Sequence, residues 1–267
     1  MKKLPIAIIR CAIAAGALVA SSLSAKAQTL ELQLQADNYN PTTGVWTDSS
    51  GNGDTGTFGG SSTLPTLATG ATPNGSSAVD ISSASATGGS FLLNSSIPDV
   101  GGYTVFAYCE VSTDGAVRNA LTGGSSPTAL EWDVYNGNDD FLTEYTADVA
   151  HGNATLPTTS FSLLDLAVSS LSSFRLNGSS DGSGSGATFG QPITRIGNNE
   201  GGGDGFVGDI AEIDIYSGVL SGSQISSEEA ALTAAYVTPT PEPTTMAIMA
   251  GGLGLLFATR GFRRHQA

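Results

Sequence analysis

Residues 28–237 consist largely of short runs in which apolar and polar residues alternate, and this two-residue period constrains the fold more than any other feature. Successive side chains of a strand point to opposite faces, so alternation predicts a strand with one buried face. The run Leu30–Gln35 alternates leucine with glutamate or glutamine. The run Tyr103–Val111 has apolar side chains on both faces, which predicts a central strand covered on both sides. We therefore expect an all-β domain.

Turn signals separate these runs at short intervals. Asn136-Gly137 and Asn177-Gly178 each predict a hairpin, because both central positions of its tight turn need a positive φ. Phe206–Tyr216 is the longest strand candidate. We expect the Ser/Gly-rich tract at 179–186 to be a long mobile hairpin loop. Many short strands with turns between them are typical of a sandwich or barrel.

One helix is predicted near the end of this region. Ser221 and Gln224 have the spacing of a capping box, in which each side chain bonds the backbone amide of the other residue. Leu232 and Tyr236 follow Ile225 at offsets of seven and eleven residues, which places all three on one helical face. We expect the helix to end before Pro239, where the next proline-rich segment begins.

The charge balance excludes several classes of protein. Residues 28–237 contain 3 basic and 23 acidic residues, a net charge of −20. Nucleic-acid and heparin binders need basic surface, so neither is expected as a partner. The region has no lysine for Schiff-base or P-loop chemistry. It has one histidine, His151, which we expect in a surface loop, and one cysteine, Cys109, which we expect to be a small buried side chain.

Residues 1–27 have the composition of a secretory signal peptide. Two lysines precede an apolar stretch, and Ala25 and Ala27 form an A-x-A cleavage site that leaves Gln28 at the mature N-terminus. An N-terminal membrane anchor is the alternative, but the apolar run is short for a membrane span. We therefore expect the protein to be exported through the inner membrane.

Residues 238–267 have the pattern of a membrane-inserted tail. A stiff proline-rich segment opens it with the motif Pro241, Glu242, Pro243. Residues 243–259 are uncharged, which predicts a single transmembrane helix over about 244–259, near the lower length limit for a span. A basic cluster that sets a cytoplasmic C-terminus follows: Arg260, Arg263 and Arg264.

This tail resembles the PEP-CTERM sorting tail of exopolysaccharide-producing Gram-negative bacteria. The Pro-Glu-Pro motif, the apolar segment and the arginine cluster follow in the order and at the spacing of that family. The resemblance implies that an exosortase holds the tail in the inner membrane, cuts near Pro241–Pro243, and releases the protein to the envelope, outer surface or extracellular matrix. A permanent single-pass anchor is the alternative interpretation.

A second resemblance covers roughly residues 30–236. It rests on seven segments in order along the chain: 34–37, 45–53, 103–106, 176–178, 194–197, 206–212 and 220–221. The first five are an opening strand, a W-x-D-x-S-G-N-G loop, a central strand, an Asn-Gly hairpin and an Ile-Gly strand. The last two are a closing strand and the start of the capped helix to which it leads. These segments resemble, in order, those of concanavalin A-like jelly-roll domains, in particular the laminin G-like branch in bacterial surface proteins. The resemblance implies a jelly-roll sandwich with one short C-terminal helix over 28–237.

Glu212 and Asp214 are the leading candidates for chemistry. They share a strand face with Tyr216, and concanavalin A-like glucanases carry a similar strand of the type E-[IL]-D-x-x-E. Retaining glycoside hydrolysis needs two carboxylates roughly 5 Å apart. The second glutamate of that pattern is absent here. We therefore assign no catalytic residue and expect an ordinary outward polar face, with Ile213 and Ile215 in the core.

Two loops have ligand-like compositions. The segment 48–54 carries oxygen groups of the kind that bind calcium, and laminin G-like domains often bind one calcium. The alternative is an Asx turn in which Asp48 and Asn52 bond their own backbone, so no metal-ligand set is assigned. Residues 135–140 combine an aromatic ring with amides and carboxylates, as a sugar site does. Trp46 and Trp132 either stack on sugars or pack in the core.

The sequence thus favours an exported, non-catalytic sandwich that binds carbohydrate, such as exopolysaccharide, or another surface. A glycoside hydrolase or lyase that uses Glu212 and Asp214 is the second hypothesis. A structural matrix glycoprotein without a specific ligand is the third. Its glycans would occupy four N-x-S/T sites: Asn74, Asn94, Asn153 and Asn177.

Overall fold

The computed structural model describes residues 28–61, 63–82, 89–98, 101–112, 118–124, 131–135, 140–144, 147–169, 171–185, 192–198 and 205–238. The predicted signal peptide with its cleavage site, the sorting motif at 241–243, the helix at 244–259 and the arginine cluster lie outside these residues. Among the residues that are described, no helix combines the length and apolarity that a membrane span requires.

Across those ranges the chain forms seventeen strands and one α-helix. The strands are β1 (Thr29–Gln35), β2 (Tyr39–Asn40), β3 (Val45–Trp46), β4 (Gly56–Gly59), β5 (Thr66–Ala68), β6 (Ala78–Asp80), β7 (Ser90–Ile97), β8 (Tyr103–Val111), β9 (Arg118–Gly123), β10 (Glu131–Tyr135), β11 (Asp140–Glu144), β12 (Ala147–His151), β13 (Ser162–Val168), β14 (Leu171–Leu176), β15 (Ser179–Ser185), β16 (Ile193–Ile196) and β17 (Gly208–Ser217). The helix, α1, spans Gly222–Tyr236, and a 3₁₀ turn spans Ala36–Asn38.

The strands form two antiparallel sheets. Counting described strands, the first sheet has eight, in the order β15-β14-β13-β8-β17-β6-β5, and β1 also pairs with β17. The second has nine, in the order β12-β11-β10-β9-β16-β7-β4-β3-β2. The expectation of a mostly β protein with one helix at its C-terminal end is confirmed at this level.

An apolar core lies between the two sheets. The first sheet contributes Leu32, Leu34, Val105, Ile213 and Ile215, and the second contributes Trp46, Phe91, Trp132, Ile193 and Ile196, all fully buried. Burying one such large side chain stabilises the fold by roughly 1.5–3 kcal/mol. This layer therefore holds the two sheets together.

The main strand and turn predictions are confirmed. Leu32 and Leu34 of β1 face the core. Strand β8 is buried on both faces, because one face lies in the main core and the other packs in a second apolar cluster with the helix. Asn177 and Gly178 have φ values of 50° and 78°, the positive values that the hairpin turn requires. Strands β10 and β11 pair through Val134 and Asp140 on either side of the predicted turn at 136–137.

Two expectations are wrong. The Ser/Gly-rich tract forms β15, an edge strand paired along β14, instead of a mobile loop. Strand pairing uses backbone groups, so once the Asn177-Gly178 turn reverses the chain, small side chains are no obstacle. His151 ends β12, where it pairs with Phe141 of β11, instead of lying in a loop.

Candidate functional site

Helix α1 covers the face of the first sheet that points away from the main core. Its capping box forms as predicted: the Ser221 hydroxyl accepts from the Gln224 amide at 3.4 Å, and Gln224 Oε1 accepts from the Ser221 amide at 2.9 Å. The predicted helical face packs against aromatic and apolar side chains of the sheet in a second buried cluster: Ile225, Leu232 and Tyr236 with Phe106, Tyr108 and Leu163.

Glu212 and Asp214 lie beneath this helix. Their side chains are 3% and 0% exposed, while Ile213 and Ile215 face the main core as predicted. The expectation of an outward polar face is therefore wrong in one respect, because α1 lies across that face and removes it from solvent. The two carboxyl groups are part of a buried polar layer between sheet and helix.

Glu212 is held by three donors. Its Oε2 accepts from the Tyr236 hydroxyl at 2.5 Å, and its Oε1 accepts from the side-chain amides of Gln33 at 2.8 Å and Gln35 at 3.1 Å. The two glutamines lie on β1, which pairs directly with β17 in the register Gln33–Asp214 and Gln35–Glu212. This carboxylate thus ties the first strand, the last strand and the end of the helix together.

Asp214 lacks such donors. Neither of its carboxyl oxygens accepts a hydrogen bond within 3.5 Å. Burial raises its pKa well above the usual range, and the neighbouring carboxylates of Glu212 and Glu228 raise it further. Burial also raises the pKa of Glu212, although the hydrogen bonds from Tyr236 and Gln35 oppose that shift. The pair therefore holds protons more tightly than exposed carboxylates do.

An ion pair fixes the middle of α1 to the sheet. Arg175 Nε of β14 lies 2.7 Å from Glu229 Oε1 and 3.6 Å from Asp165 Oδ1 of β13, and Arg175 Nη2 lies 3.2 Å from Glu229 Oε2. Glu229 is only 8% exposed. Sequence reasoning missed this glutamate, although its offset of four residues from Ile225 places it on the buried helical face.

A small cavity of about 130 Å³ opens beside the polar layer, where the 3₁₀ turn, the segment before β6 and the end of α1 meet. Its lining is Gln35, Ala36, Asp37, Ser76, Ser77, Ala235 and Tyr236. Gln35 and Tyr236 both line the cavity and both donate to Glu212, so the cavity adjoins the buried carboxyl pair. Sequence analysis did not indicate this cavity, because it joins three distant segments.

The loop proposed for calcium is organised by Asp48. The Asp48 carboxylate accepts five hydrogen bonds of 2.7–3.2 Å, from the amides of Gln33, Ser50, Gly53 and Asp54 and from the Ser50 hydroxyl. The Asx-turn interpretation is confirmed at this residue. Burial acts to raise the pKa of Asp48, but these hydrogen bonds outweigh it and lower the pKa. Through these hydrogen bonds, the Asp48 carboxylate joins its loop to β1.

The second residue of that loop behaves differently from the prediction. The Asn52 amide donates to the carbonyls of Leu30 at 2.7 Å and Glu31 at 3.1 Å, so it bonds β1 and not its own backbone. Within the described ranges, no three acidic, histidine or cysteine side chains are placed to hold a metal ion.

Of the two interpretations of Trp46 and Trp132, core packing is confirmed, since both are 0% exposed. Trp46 donates its indole N–H to the Gln35 carbonyl at 2.7 Å and packs edge-on against Phe91, with ring centroids 5.0 Å apart. Cys109 is buried as predicted. Residues 136–139 of the proposed sugar loop and the side chains of Tyr135 and Asp140 lie outside the description.

The asparagines of the four N-x-S/T sites are engaged with the protein. Three donate their side-chain amides to backbone carbonyls: Asn74 to Ala235, Asn94 to Gly53 at 2.9 Å and Asn153 to Asp181 at 2.5 Å. Asn177 Oδ1 accepts from the Leu163 amide at 2.9 Å. A glycan attached to any of the first three nitrogens would compete with a bond that joins two segments of the fold.

No family model matches this sequence. No curated protein matches it significantly. Solved structures do match the fold. Domain 4 of AbnA, a GH43 extracellular arabinanase from Geobacillus stearothermophilus in complex with arabinotriose, aligns over 75% of this chain and 98% of its own, with a TM-score of 0.56 and 19% identity.

Two further structures align over only part of their own length. Trypanosoma rangeli sialidase in complex with sialic acid gives a TM-score of 0.52 at 14% identity, over 79% of this chain and 33% of that one. The botulinum neurotoxin serotype D binding domain gives 0.54 at 15% identity, over 76% and 52%. The protein thus has a β-sandwich fold similar to that of domains in carbohydrate-binding and glycosidase-type proteins.

Proposed function

We propose that the protein is a non-catalytic, carbohydrate-binding or surface-binding module, exported and sorted to the envelope, outer surface or extracellular matrix by exosortase. The observation that carries the binding part is the two-sheet sandwich, which aligns over nearly the whole of an arabinanase domain solved with arabinotriose. A shared fold does not fix an activity, so the absence of catalysis has to be argued from the geometry of the site.

The finer fold that we propose is a concanavalin A-like jelly roll of the laminin G-like branch. Two packed antiparallel sheets, the Asn177-Gly178 hairpin and the closing strand β17 leading into α1 support it. The Asp48 loop supports it as well, because the hydrogen bonds to Asp48 fix the backbone of the W-x-D-x-S-G-N-G motif.

The burial of Glu212 and Asp214 supports the absence of catalysis. A retaining glycosidase needs both carboxyl groups in contact with substrate. Here α1 covers both, and the Tyr236 hydroxyl occupies Glu212. A hydrolase that uses this pair would have to displace the helix together with its Arg175–Glu229 ion pair.

Binding and turnover are tested on the same preparation. The full chain, purified in detergent, is applied to a glycan array and incubated with the bound polysaccharides in a reducing-sugar assay. We expect binding without release of reducing ends. Turnover that is lost in Glu212→Gln together with Asp214→Asn would refute the non-catalytic part in favour of the hydrolase hypothesis.

The sorting part rests on the Pro-Glu-Pro motif, the uncharged segment and the arginine cluster of the sequence. In a cell that has an exosortase, we expect mature protein outside the inner membrane. Its mass should correspond to a chain that ends near Pro241–Pro243. Replacement of these three residues by alanine should leave the uncut chain in the inner membrane. An uncut, cytosolic wild-type chain would contradict this proposal.

A further inference from the structure

The cavity at the end of α1 is lined by polar groups that have no partner within the described part of the chain. The Asp37 carboxylate and the hydroxyls of Ser76 and Ser77 make no hydrogen bond to another described residue. Asp37 is exposed and Ser76 and Ser77 are half-buried, so a molecule that enters the cavity can reach all three. Three accessible polar groups without a protein partner thus line one concave space, as in a small ligand site.

Nearby surface loops show the contrast. The Asp48 carboxylate accepts five hydrogen bonds, and Asn40 Oδ1 accepts from the amides of Thr42 and Thr43. Asn74, next to the cavity, is also fully engaged through the Ser76 amide, the Thr72 hydroxyl and the end of α1. Asp37, Ser76 and Ser77 differ in this respect from Asp48, Asn40 and Asn74.

The lining defines the chemistry of that ligand. Its free groups are acceptors or hydroxyls, and its amide donor, Gln35 Nε2, is already used by Glu212. No basic side chain lines the cavity, whereas the Asp37 carboxylate does, and Glu212 accepts from the lining residues Gln35 and Tyr236. A ligand must therefore donate hydrogen bonds and carry no negative charge. Ala235 and the Tyr236 ring add apolar surface.

We propose that this cavity holds one ring of a neutral polysaccharide and selects against acidic sugars. Sugar hydroxyls would donate to the Asp37 carboxylate and exchange hydrogen bonds with the Ser76 and Ser77 hydroxyls, and the C–H groups of the ring match the apolar surface. The volume of about 130 Å³ is well below the roughly 300–1,000 Å³ of most ligand pockets, so we expect it to take no more than one ring, at an end or a branch of the polymer. This inference rests on the proposed carbohydrate-binding function.

The test fills the cavity with a large side chain introduced at an exposed residue of α1. Ala235→Trp places a large side chain into it, and Ala234→Trp puts the same side chain on the neighbouring exposed helix position, outside the lining. Asp37→Ala removes the charged acceptor, which should weaken binding about tenfold. Circular dichroism and thermal unfolding check that each variant folds like the wild type.

Binding is measured by calorimetry on the full chain in detergent, with arabinotriose, the neutral oligosaccharides bound on the array, and trigalacturonic acid as the acidic probe. We expect neutral sugars to bind, with an affinity that falls at least about tenfold in Ala235→Trp and stays within about twofold in Ala234→Trp. Trigalacturonic acid should bind more weakly than any of the bound neutral sugars.

Each of the other outcomes would refute a different part of the proposal. Wild-type affinity in Ala235→Trp would refute the cavity while the carbohydrate-binding function stands. Tighter binding of trigalacturonic acid would refute the selectivity. A wild-type chain that binds no glycan on the array would refute the proposed function and this inference together.

Discussion

Tyr236 connects three features of the molecule through one side chain. Its hydroxyl donates to Glu212, its ring stacks on Tyr108 at a centroid distance of 5.2 Å and an interplanar angle of 15°, and the residue lines the polar cavity. Burial, followed by the negative charges of Glu212 and Asp214, raises the pKa of its phenol. The hydroxyl therefore remains a donor at any physiological pH.

The substitution Tyr236→Phe tests the weight of that hydroxyl. The ring stack is kept, but Glu212 loses one of its three donors while it stays buried. Because an unpartnered buried acceptor is costly, we expect the free energy of unfolding to fall by about 1–3 kcal/mol. Urea unfolding measures it, with Tyr216→Phe as a control for removal of a hydroxyl that does not bond Glu212. Equal stabilities of Tyr236→Phe and the wild type would contradict the assignment.

Asp209 makes stability depend on pH. It lies beside Asp80 of β6 and Glu110 of β8, and burial followed by these two carboxylates raises its pKa to about 6. In the unfolded chain its pKa is about 4. Between about pH 4 and 6 the folded state therefore binds the proton that the unfolded state has released, so stability falls as pH rises through this window.

The variant Asp209→Asn removes this dependence. We expect it to be more stable than the wild type by about 1 kcal/mol at pH 7, and equally stable at pH 4, where Asp209 is protonated. Urea unfolding at both pH values gives the comparison. Asp48→Asn is a control with the opposite expected sign, because hydrogen bonds stabilise the Asp48 carboxylate as the anion. A gain that is the same at both pH values would contradict the assigned cause.

At the scale of elements, α1 depends on the ion pair between Arg175 and Glu229. Arg175→Met leaves Glu229 buried without a cation, and we expect a loss of about 2 kcal/mol in the free energy of unfolding. The double variant with Glu229→Met should recover part of that loss, because Glu229 is no longer buried without a cation, while Asp165 still is. Urea unfolding of both single variants and the double variant completes the cycle. A double variant less stable than Arg175→Met would contradict this account.

The elements themselves were largely predictable, since they follow local rules. Alternation found β1, the Asn177-Gly178 pair found its hairpin, and the Ser221–Gln224 spacing found the start of α1. The tract that forms β15 was missed because its composition resembles a linker, while its pairing comes from the adjoining turn. Local sequence gives the side chains that share a face, but not the element that will cover that face.

The buried polar layer shows the same limit. The sequence placed Glu212 and Asp214 on one strand face, which is correct, but the donors to Glu212 come from Gln33, Gln35 and Tyr236, up to 179 residues away. The pairing of β1 with β17 brings these side chains together. Such long-range pairing leaves no local signal, so the burial of the two carboxyl groups could not be read from the sequence.

For the whole molecule, the charge balance predicts a response to salt. Residues 28–237 carry 3 basic and 23 acidic side chains, so the folded domain repels itself. Screening by about 0.5 M NaCl should raise the melting temperature by a few degrees, because the Debye length then falls below about 5 Å. Differential scanning fluorimetry in NaCl measures this, with sucrose of equal osmolality as control. A lower melting temperature in NaCl would contradict the prediction.

The junction at the end of α1 also has a mechanical meaning. Tension on the polypeptide beyond Thr238 would reach Tyr236 first, where the Asn74 amide bonds the Tyr236 carbonyl at 3.1 Å and the phenol is anchored on Glu212. From there the load would pass through Gln33 and Gln35 into β1, at the opposite end of the chain. A pull on this end of the domain would thus be spread across β17 and β1 before the helix could separate from the sheet.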